Sequence, residues 1–141
     1  MDNQYITALS TFIEKTKIET EKIHEDNPCE ELEDNEVSKS LIALMEKLDD
    51  IKNTIKYYSN PTNEGYLVEN SSGKYVIKFL NGDSSSEIVC GSNIEVFVNG
   101  KGWKAGRTEY SEEKGYYFYN AEELYPKLYT DMKVRIRLIK W

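Results

Sequence analysis

The sequence has little of what catalytic and metal sites need. Its 141 residues include a single histidine, His24, and two cysteines, Cys29 and Cys90. A Ser-His-Asp or Cys-His site requires a histidine within hydrogen-bond reach of the nucleophile, and His24 lies in an acidic stretch rather than beside such a residue. A zinc site usually needs four His or Cys ligands, and no second pair accompanies His24. We therefore expect no enzyme activity, no catalytic residues, no metal and no cofactor.

Long apolar runs and targeting signals are also missing. No run of 18 apolar residues occurs, so the sequence predicts no transmembrane helix. The first residues, "MDNQYITALS", lack the basic start and the apolar stretch of a signal peptide. We expect a cytoplasmic protein, in which Cys29 and Cys90 are free thiols.

Negative charge is concentrated in one segment. The chain has a net charge of −7, and residues 19–36 alone contain nine acidic residues and one lysine, a net charge of −8. Such a block repels polyanions and attracts basic surfaces. It is either a solvated connector or a docking surface for a basic protein, including one that normally holds nucleic acid. The candidate contacts are Glu30, Glu31, Glu33 and Asp34.

The first half of the chain has helical periodicity. Apolar residues at spacings of three and four predict one helix over residues 4–26 and a second from Asp34 or Asn35 to Tyr58, joined by an acidic connector. The second helix has an apolar seam that must pack on something: Leu41, Leu44, Leu48, Ile51 and Ile55. The seam closes either on the first helix, as a hairpin, or on a second chain, as a coiled-coil homodimer through residues 37–58.

From about residue 61 the periodicity changes to two. Short alternating runs, including "EIVC" (87–90), are separated by turn signals such as Asn-Gly, which predicts six or seven antiparallel strands curled into a small β-barrel. The sequence thus predicts an α+β protein, with a helical hairpin over residues 1–60 and a barrel over residues 61–141. The predicted core of the barrel is Tyr75, Ile77, Phe79, Ile94, Val96, Val98, Phe118, Val134, Ile136 and Leu138.

Two resemblances meet in this second half. The stretch "CGSNIEVFVNGKGWKAGRTEY" followed by "GYYFYN" is similar to the centre of SH3-like and Tudor-like barrels. In addition, residues 64–138 resemble a small domain family of unknown function from phages and mobile elements of Gram-positive bacteria. The residues that carry this resemblance are Gly65, Gly73, Tyr75, Ile77, Ile94, Glu95, Val96, Trp103, Arg107, Glu109, Tyr110, Gly115, Tyr116, Tyr117, Val134 and Arg135. The resemblance implies a bacterial cytosol, where small proteins of such elements often block host defence enzymes or regulate the element.

Four adjacent aromatic residues, 116–119, raise the question of a recognition surface. Neighbours in a strand alternate faces, so Phe118 predicts an inward face shared with Tyr116 and an outward face with Tyr117 and Tyr119, beside Trp103. The outward rings either stabilise the sheet or bind a partner.

A basic stripe lies on the last predicted strand. Lys133, Arg135 and Arg137 alternate with apolar residues, so they share one face of the sheet. They either pair with nearby glutamates such as Glu95, bind phosphates, or contact an acidic protein. Residues 62–141 hold eleven acidic and eleven basic residues, which does not favour nucleic acid, because phosphate binders usually have a basic excess.

The leading functional hypothesis is therefore a non-catalytic interaction protein. It would bind, and inhibit, a host protein that handles nucleic acids, in the manner of an anti-CRISPR protein. The candidate partner-binding residues are Glu30, Glu31, Glu33, Asp34, Trp103, Tyr117, Tyr119, Arg135 and Arg137. The alternative is an SH3-like barrel that binds nucleic acid or a small ligand and regulates the element.

Overall fold

The chain folds into two compact units, Met1–Ser59 and Asn60–Trp141. The structure, a computed structural model, describes residues 3–122 and 125–139. The first unit contains two helices and the second a six-stranded antiparallel sheet, so the predicted α+β arrangement is confirmed. Among the described residues, no helix combines the length and apolar character needed to cross a membrane.

Helix α1 spans Gln4–Asp26 and helix α2 spans Leu32–Tyr58. The side chain of Asn3 caps α1 by accepting a hydrogen bond from the Tyr5 amide at 2.9 Å. Helix α2 begins two to three residues earlier than predicted. Its first turn contains Glu33 and Asp34, whose carboxylates are stabilised by the positive end of the helix dipole. Part of the predicted connector is therefore helical.

The two helices pack on each other through a narrow apolar contact. Ile13 and Thr20 of α1 and Leu48 of α2 are buried. Of the predicted seam, Leu48 is buried, Leu41 and Ile55 are half-buried, and Leu44 and Ile51 are 51% and 39% exposed. The hairpin therefore covers only part of the seam.

The strands of the second unit are β1 Thr62–Glu69, β2 Tyr75–Phe79, β3 Asn93–Val98, β4 Gly102–Ser111, β5 Gly115–Tyr119 and β6 Lys133–Arg137. All six pair antiparallel, in the order β2-β1-β6-β3-β4-β5. Alternation is clearest in β3 and β6, where core residues alternate with outward-facing ones, since one face of the sheet covers a core.

The core lies on the concave face of this sheet. Its buried residues are Leu67, Ile77, Phe79, Ile88, Ile94, Val96, Phe118, Leu128, Met132 and Val134, and Tyr75, Val98, Tyr116 and Ile136 pack against them half-buried. Leu138 was expected in the core but is 45% exposed, because β6 ends at Arg137 and the inward alternation ends with it.

The predicted "EIVC" strand is wrong. Residues 83–92 form an irregular segment that lies along the free edge of β2, where the Ile88 amide donates to the Tyr75 carbonyl and the Ser85 amide to the Ile77 carbonyl. Ile88 is buried, so its apolar character reflects burial rather than a strand. The segment covers backbone groups that an open edge would expose.

The sheet curls until its two edge strands approach each other. The rings of Tyr75 in β2 and Tyr116 in β5 are 6.5 Å apart. The Tyr75 hydroxyl donates to the Leu128 carbonyl, and the Leu128 amide donates to the Tyr116 carbonyl. Within the described residues no strand ladder joins β2 to β5, so closure into a barrel stays a prediction.

Candidate functional site

Strand β5 divides its aromatic residues between the two faces of the sheet. Phe118 is fully buried in the core, and Tyr116 packs against that core. Tyr117 and Tyr119 point to the convex face and are half-exposed. The run is therefore both a core strand and part of an outer surface.

Three tyrosines and two basic side chains form a tyrosine cluster at this end of the convex face. It consists of Tyr117, Tyr119 and Tyr125, with Arg107 and Lys114. The Tyr125 ring centre lies 5.3 Å from that of Tyr119 and 6.4 Å from that of Tyr117. The Arg107 guanidinium lies 4.6 Å from the Tyr119 centroid, and the Lys114 ammonium lies 5.4 Å from those of Tyr117 and Tyr125. Such cation–π contacts hold the rings in place.

A second group, the tryptophan cluster, lies where β6, β3 and β4 adjoin. It consists of Phe97, Trp103, Lys133 and Arg135. Phe97 and Trp103 are directly opposite in the β3–β4 ladder, with ring centres 5.4 Å apart. The Arg135 guanidinium lies 4.2 Å from the Trp103 centroid, and the Lys133 ammonium 4.8 Å from that of Phe97.

Glu95 binds two arginines of the basic stripe. Its carboxylate accepts hydrogen bonds from Arg135 Nε at 2.9 Å and from Arg137 Nε at 2.7 Å, although Glu95 is only 6% exposed. Burial by itself raises the pKa of this carboxyl, but the bonds and charges of Arg137 and Arg135 outweigh it, so the pKa is lowered from its usual value. Arg137 also donates to the Asn60 carbonyl. The structure thus gives Arg135 and Arg137 a role in holding the sheet together.

The acidic residues predicted to bind a partner lie at the helical turn and the start of α2. Glu30, Glu31, Glu33 and Asp34 are all exposed. Within residues 3–122 and 125–139, no ion pair involves any of these four carboxylates. Their negative charge is therefore open to a basic surface.

The convex face contains residues that the sequence analysis did not single out as binding residues: Phe97, Arg107, Lys114 and Tyr125. Phe97 could have been found from alternation, because inward Ile94, Val96 and Val98 place residue 97 outward. Tyr125 could not, since it lies outside the strands, where alternation does not indicate the direction of a side chain.

A cleft lies beside the gap between β2 and β5. It has a volume of about 610 Å³, and its lining includes Tyr75, Tyr110, Tyr116, Lys74, Lys114 and Lys127. The rings of Tyr110 and Tyr116 are 5.1 Å apart. Burial, with a smaller contribution from Glu69, raises the pKa of Tyr75, so its hydroxyl stays protonated and can donate. Among the residues that the structure describes, no three His, Cys, Asp or Glu side chains are grouped so that they could hold a metal ion.

One family model matches this chain. It is that of a domain of unknown function, DUF5348, and it covers residues 65–136, which is about half of the sequence. The match spans all of the tryptophan and tyrosine clusters and none of the helices. No curated protein and no solved structure matches the chain significantly.

Proposed function

Because the chain belongs to DUF5348, a domain family of unknown function, we propose its function from its own surfaces: it is a non-catalytic protein that binds and inhibits a protein that handles nucleic acids. The acidic segment docks on the basic surface that such a partner uses for nucleic acid. The setting is a phage or mobile element in the cytosol of a bacterial host, and the target is a defence enzyme, as for an anti-CRISPR protein.

The observation that carries this proposal is the open negative charge of one segment. Residues 19–36 have a net charge of −8, and Glu30, Glu31, Glu33 and Asp34 are exposed without intramolecular ion pairs among the described residues. Proteins that bind nucleic acids present large positive channels, and charge complementarity both speeds association and selects the partner. A carboxylate-rich surface fits such a channel.

The convex face of the sheet supports the same proposal with aromatic anchors. Trp, Tyr and Arg are the residues that contribute most to protein interfaces. Trp103 and Tyr119 each have a guanidinium over one ring face, at 4.2 and 4.6 Å. A ring does not stack on a nucleobase through a face that a guanidinium covers. The apolar edges of the ring stay available for contact with a protein surface.

The partner and its surface are tested together. The tagged full-length chain is used to capture proteins from an extract of a Gram-positive bacterium after nuclease treatment. The captured protein is then purified, and its own nucleic acid is added as a competitor. The proposal predicts that nucleic acid displaces the chain. Simultaneous binding of the chain and the nucleic acid to the captured protein would overturn the proposal. Capture only from an extract that has not been treated with nuclease would also overturn it.

We expect the acidic segment to control the rate of association with this partner. Replacing Glu30, Glu31 and Glu33 together by lysine should lower the association rate constant about tenfold or more at low salt and much less at 0.5 M salt, because surface charges are screened within about 10 Å at 0.1 M. Surface plasmon resonance at several salt concentrations measures this.

The matched control changes the same amount of charge elsewhere. Asp83, Glu112 and Glu113 are exposed in the sheet unit, and their replacement by lysine should have a much smaller effect on association. Tyr119→Ala should instead raise the dissociation rate by about 30-fold at either salt concentration, the effect of an anchor worth about 2 kcal/mol. Equal effects of the two triple replacements would show that only total charge matters.

The cleft between β2 and β5 favours a second candidate, a binding site for a small aromatic anion. Tyrosine rings can stack on an aromatic group, and Lys74, Lys114 and Lys127 can bind its phosphate or carboxylate. Mononucleotides are the probe, titrated into the labelled chain and followed by amide chemical shifts. Tyr110→Ala should weaken binding about tenfold, and Tyr66→Ala, exposed outside the cleft, should not. Shifts that do not map to the cleft would exclude this candidate.

A further inference from the structure

The hairpin of α1 and α2 has one polar flank. Lys17 binds Asp49 at 2.6 Å, and Lys52 binds Glu14 at 3.0 Å. A helix turns about 100° per residue, so in α1 Lys17 and Glu14 both lie to one side of the buried Ile13. In α2, Asp49 and Lys52 lie on the corresponding side of Leu48. These ion pairs mark the polar flank and the alignment of the helices.

The opposite flank is apolar and exposed. By the same geometry, Phe12 and Tyr5 lie on the other side of Ile13, and Leu44 and Ile51 on the other side of Leu48. We define the apolar flank by six residues with their exposed fractions: Tyr5 68%, Phe12 58%, Ile23 58%, Val37 70%, Leu44 51% and Ile51 39%. Val37, Leu44 and Ile51 are spaced by seven residues, which is the spacing of a helix-packing seam.

We propose that a second copy of this chain covers the apolar flank, so that two hairpins form an antiparallel four-helix bundle. The two-fold axis runs parallel to the helices. In this arrangement α1 of one copy lies on α2 of its partner, and Phe12 and Ile23 pack against the partner's Ile51 and Leu44. Self-association is a different property from the docking of Glu30, Glu31 and Asp34 on a partner, although Glu19 and Ile23 belong to the same acidic segment.

The charges on the rim of the flank are complementary to a second copy. Since Lys17 lies level with Asp49 and Glu14 with Lys52, Glu19 lies level with Lys47. Both are exposed, and both lie on the rim of the apolar flank, one on each helix. The two-fold rotation therefore brings Glu19 opposite the partner's Lys47 twice. Lys47 is close to Asp50 within its own chain, at 3.7 Å, but that pair is fully on the surface and leaves the ammonium accessible.

The area of the flank also fits a dimer. The six exposed apolar residues present on the order of 100 Å² each, or roughly 600 Å² together. This area is at the upper end of the range for the largest apolar patch of a typical monomer. Leu9, Leu41 and Ile55, half-buried between the helices, extend the patch toward the roughly 800 Å² per partner of a standard interface. Glu33 and Glu36 lie on the same side of α2 near its first turn, so acid and base are matched in the middle of the flank, at Glu19 and Lys47.

Sedimentation velocity of the full chain tests the proposal between about 1 and 200 µM. We expect a mass twice the 16.4 kDa of one chain at the upper concentrations. Leu44→Glu with Ile51→Glu should raise the dimer dissociation constant at least 100-fold, with helical circular dichroism unchanged, because both positions are exposed in the hairpin. The matched control, Ile18→Glu with Ile42→Glu, places the same charges on exposed apolar positions outside the flank, 64% and 52% exposed. It should dimerise as the wild type does.

A charge exchange tests the two-fold arrangement itself. Glu19→Lys should weaken the dimer about tenfold, and the double variant Glu19→Lys with Lys47→Glu should restore it. A wild-type monomer at 200 µM would overturn the proposal. Equal loss of the dimer in the control variant, or no loss in the Leu44 and Ile51 variant, would also overturn it, and failure of the charge exchange would reject the two-fold axis proposed.

Discussion

Replacing Gly106 by valine is expected to destabilise the sheet unit by more than about 4 kcal/mol, which is a large part of the stability of a small domain. Gly106 lies in β4 opposite Ile94, and a Cβ atom there would overlap the Tyr119 carbonyl and lie 2.7 Å from two atoms of the Phe118 ring. Phe118 is fully buried and cannot withdraw without leaving a cavity.

The neighbouring residue provides the control. Ala105 is exposed on the convex face, so Ala105→Val places the same valine side chain one residue away without entering the core. Its stability should stay within about 0.5 kcal/mol of the wild type. Urea unfolding followed by tryptophan fluorescence measures both variants, and it reports the second unit because both tryptophans, at positions 103 and 141, follow the helices in sequence. A Gly106→Val transition within 1 kcal/mol of the wild type would contradict the expected clash.

Local periodicity explains why most of the fold was predictable. The 3–4 spacing of apolar residues located α1 and the end of α2 at Tyr58, because the spacing of a helix depends only on the chain itself. Alternation likewise placed Phe118 inward and Tyr119 outward. These inferences need no knowledge of what a segment packs against.

The errors concern features set by tertiary contacts. The "EIVC" segment has strand-like residues, but it lies along the edge of β2 and only Ile88 enters the core. Similarly, the seam of α2 could not be divided by sequence into residues that face α1 and residues that stay exposed, because that division depends on how the two helices are aligned. Tyr125 lies outside the strands, so no periodicity indicates its contact with Tyr119.

Glu95→Gln is expected to destabilise the sheet unit by about 3 kcal/mol, because it leaves two arginines without their anion in a nearly buried site. The side chains of Arg135 and Arg137 are only 19% and 12% exposed, so water compensates little. The control is Glu109→Gln, which removes the partner of Arg107. That pair is more exposed, at 29% and 51%, and should contribute less than about 1 kcal/mol. If the two replacements lower the free energy of unfolding in urea equally, burial of the ion pairs of Glu95 adds nothing to their contribution to stability.

The pH dependence of the same variant tests the cause. The Glu95 pKa is lowered in the folded chain, so the carboxylate contributes stability that is fully present above the unfolded pKa, near 4.5, and is lost as the pH falls through the folded pKa. The difference in unfolding free energy between wild type and Glu95→Gln should therefore be constant from pH 7 to about pH 5 and should shrink below it. A difference that stays constant or grows in acid would mean that shape, and not the charge of Glu95, holds Arg135 and Arg137. When it is ionised, Glu95 also keeps the Arg135 guanidinium over Trp103, at 4.2 Å from the ring centroid. The buried ion pair therefore determines the geometry of the tryptophan cluster on the outer face.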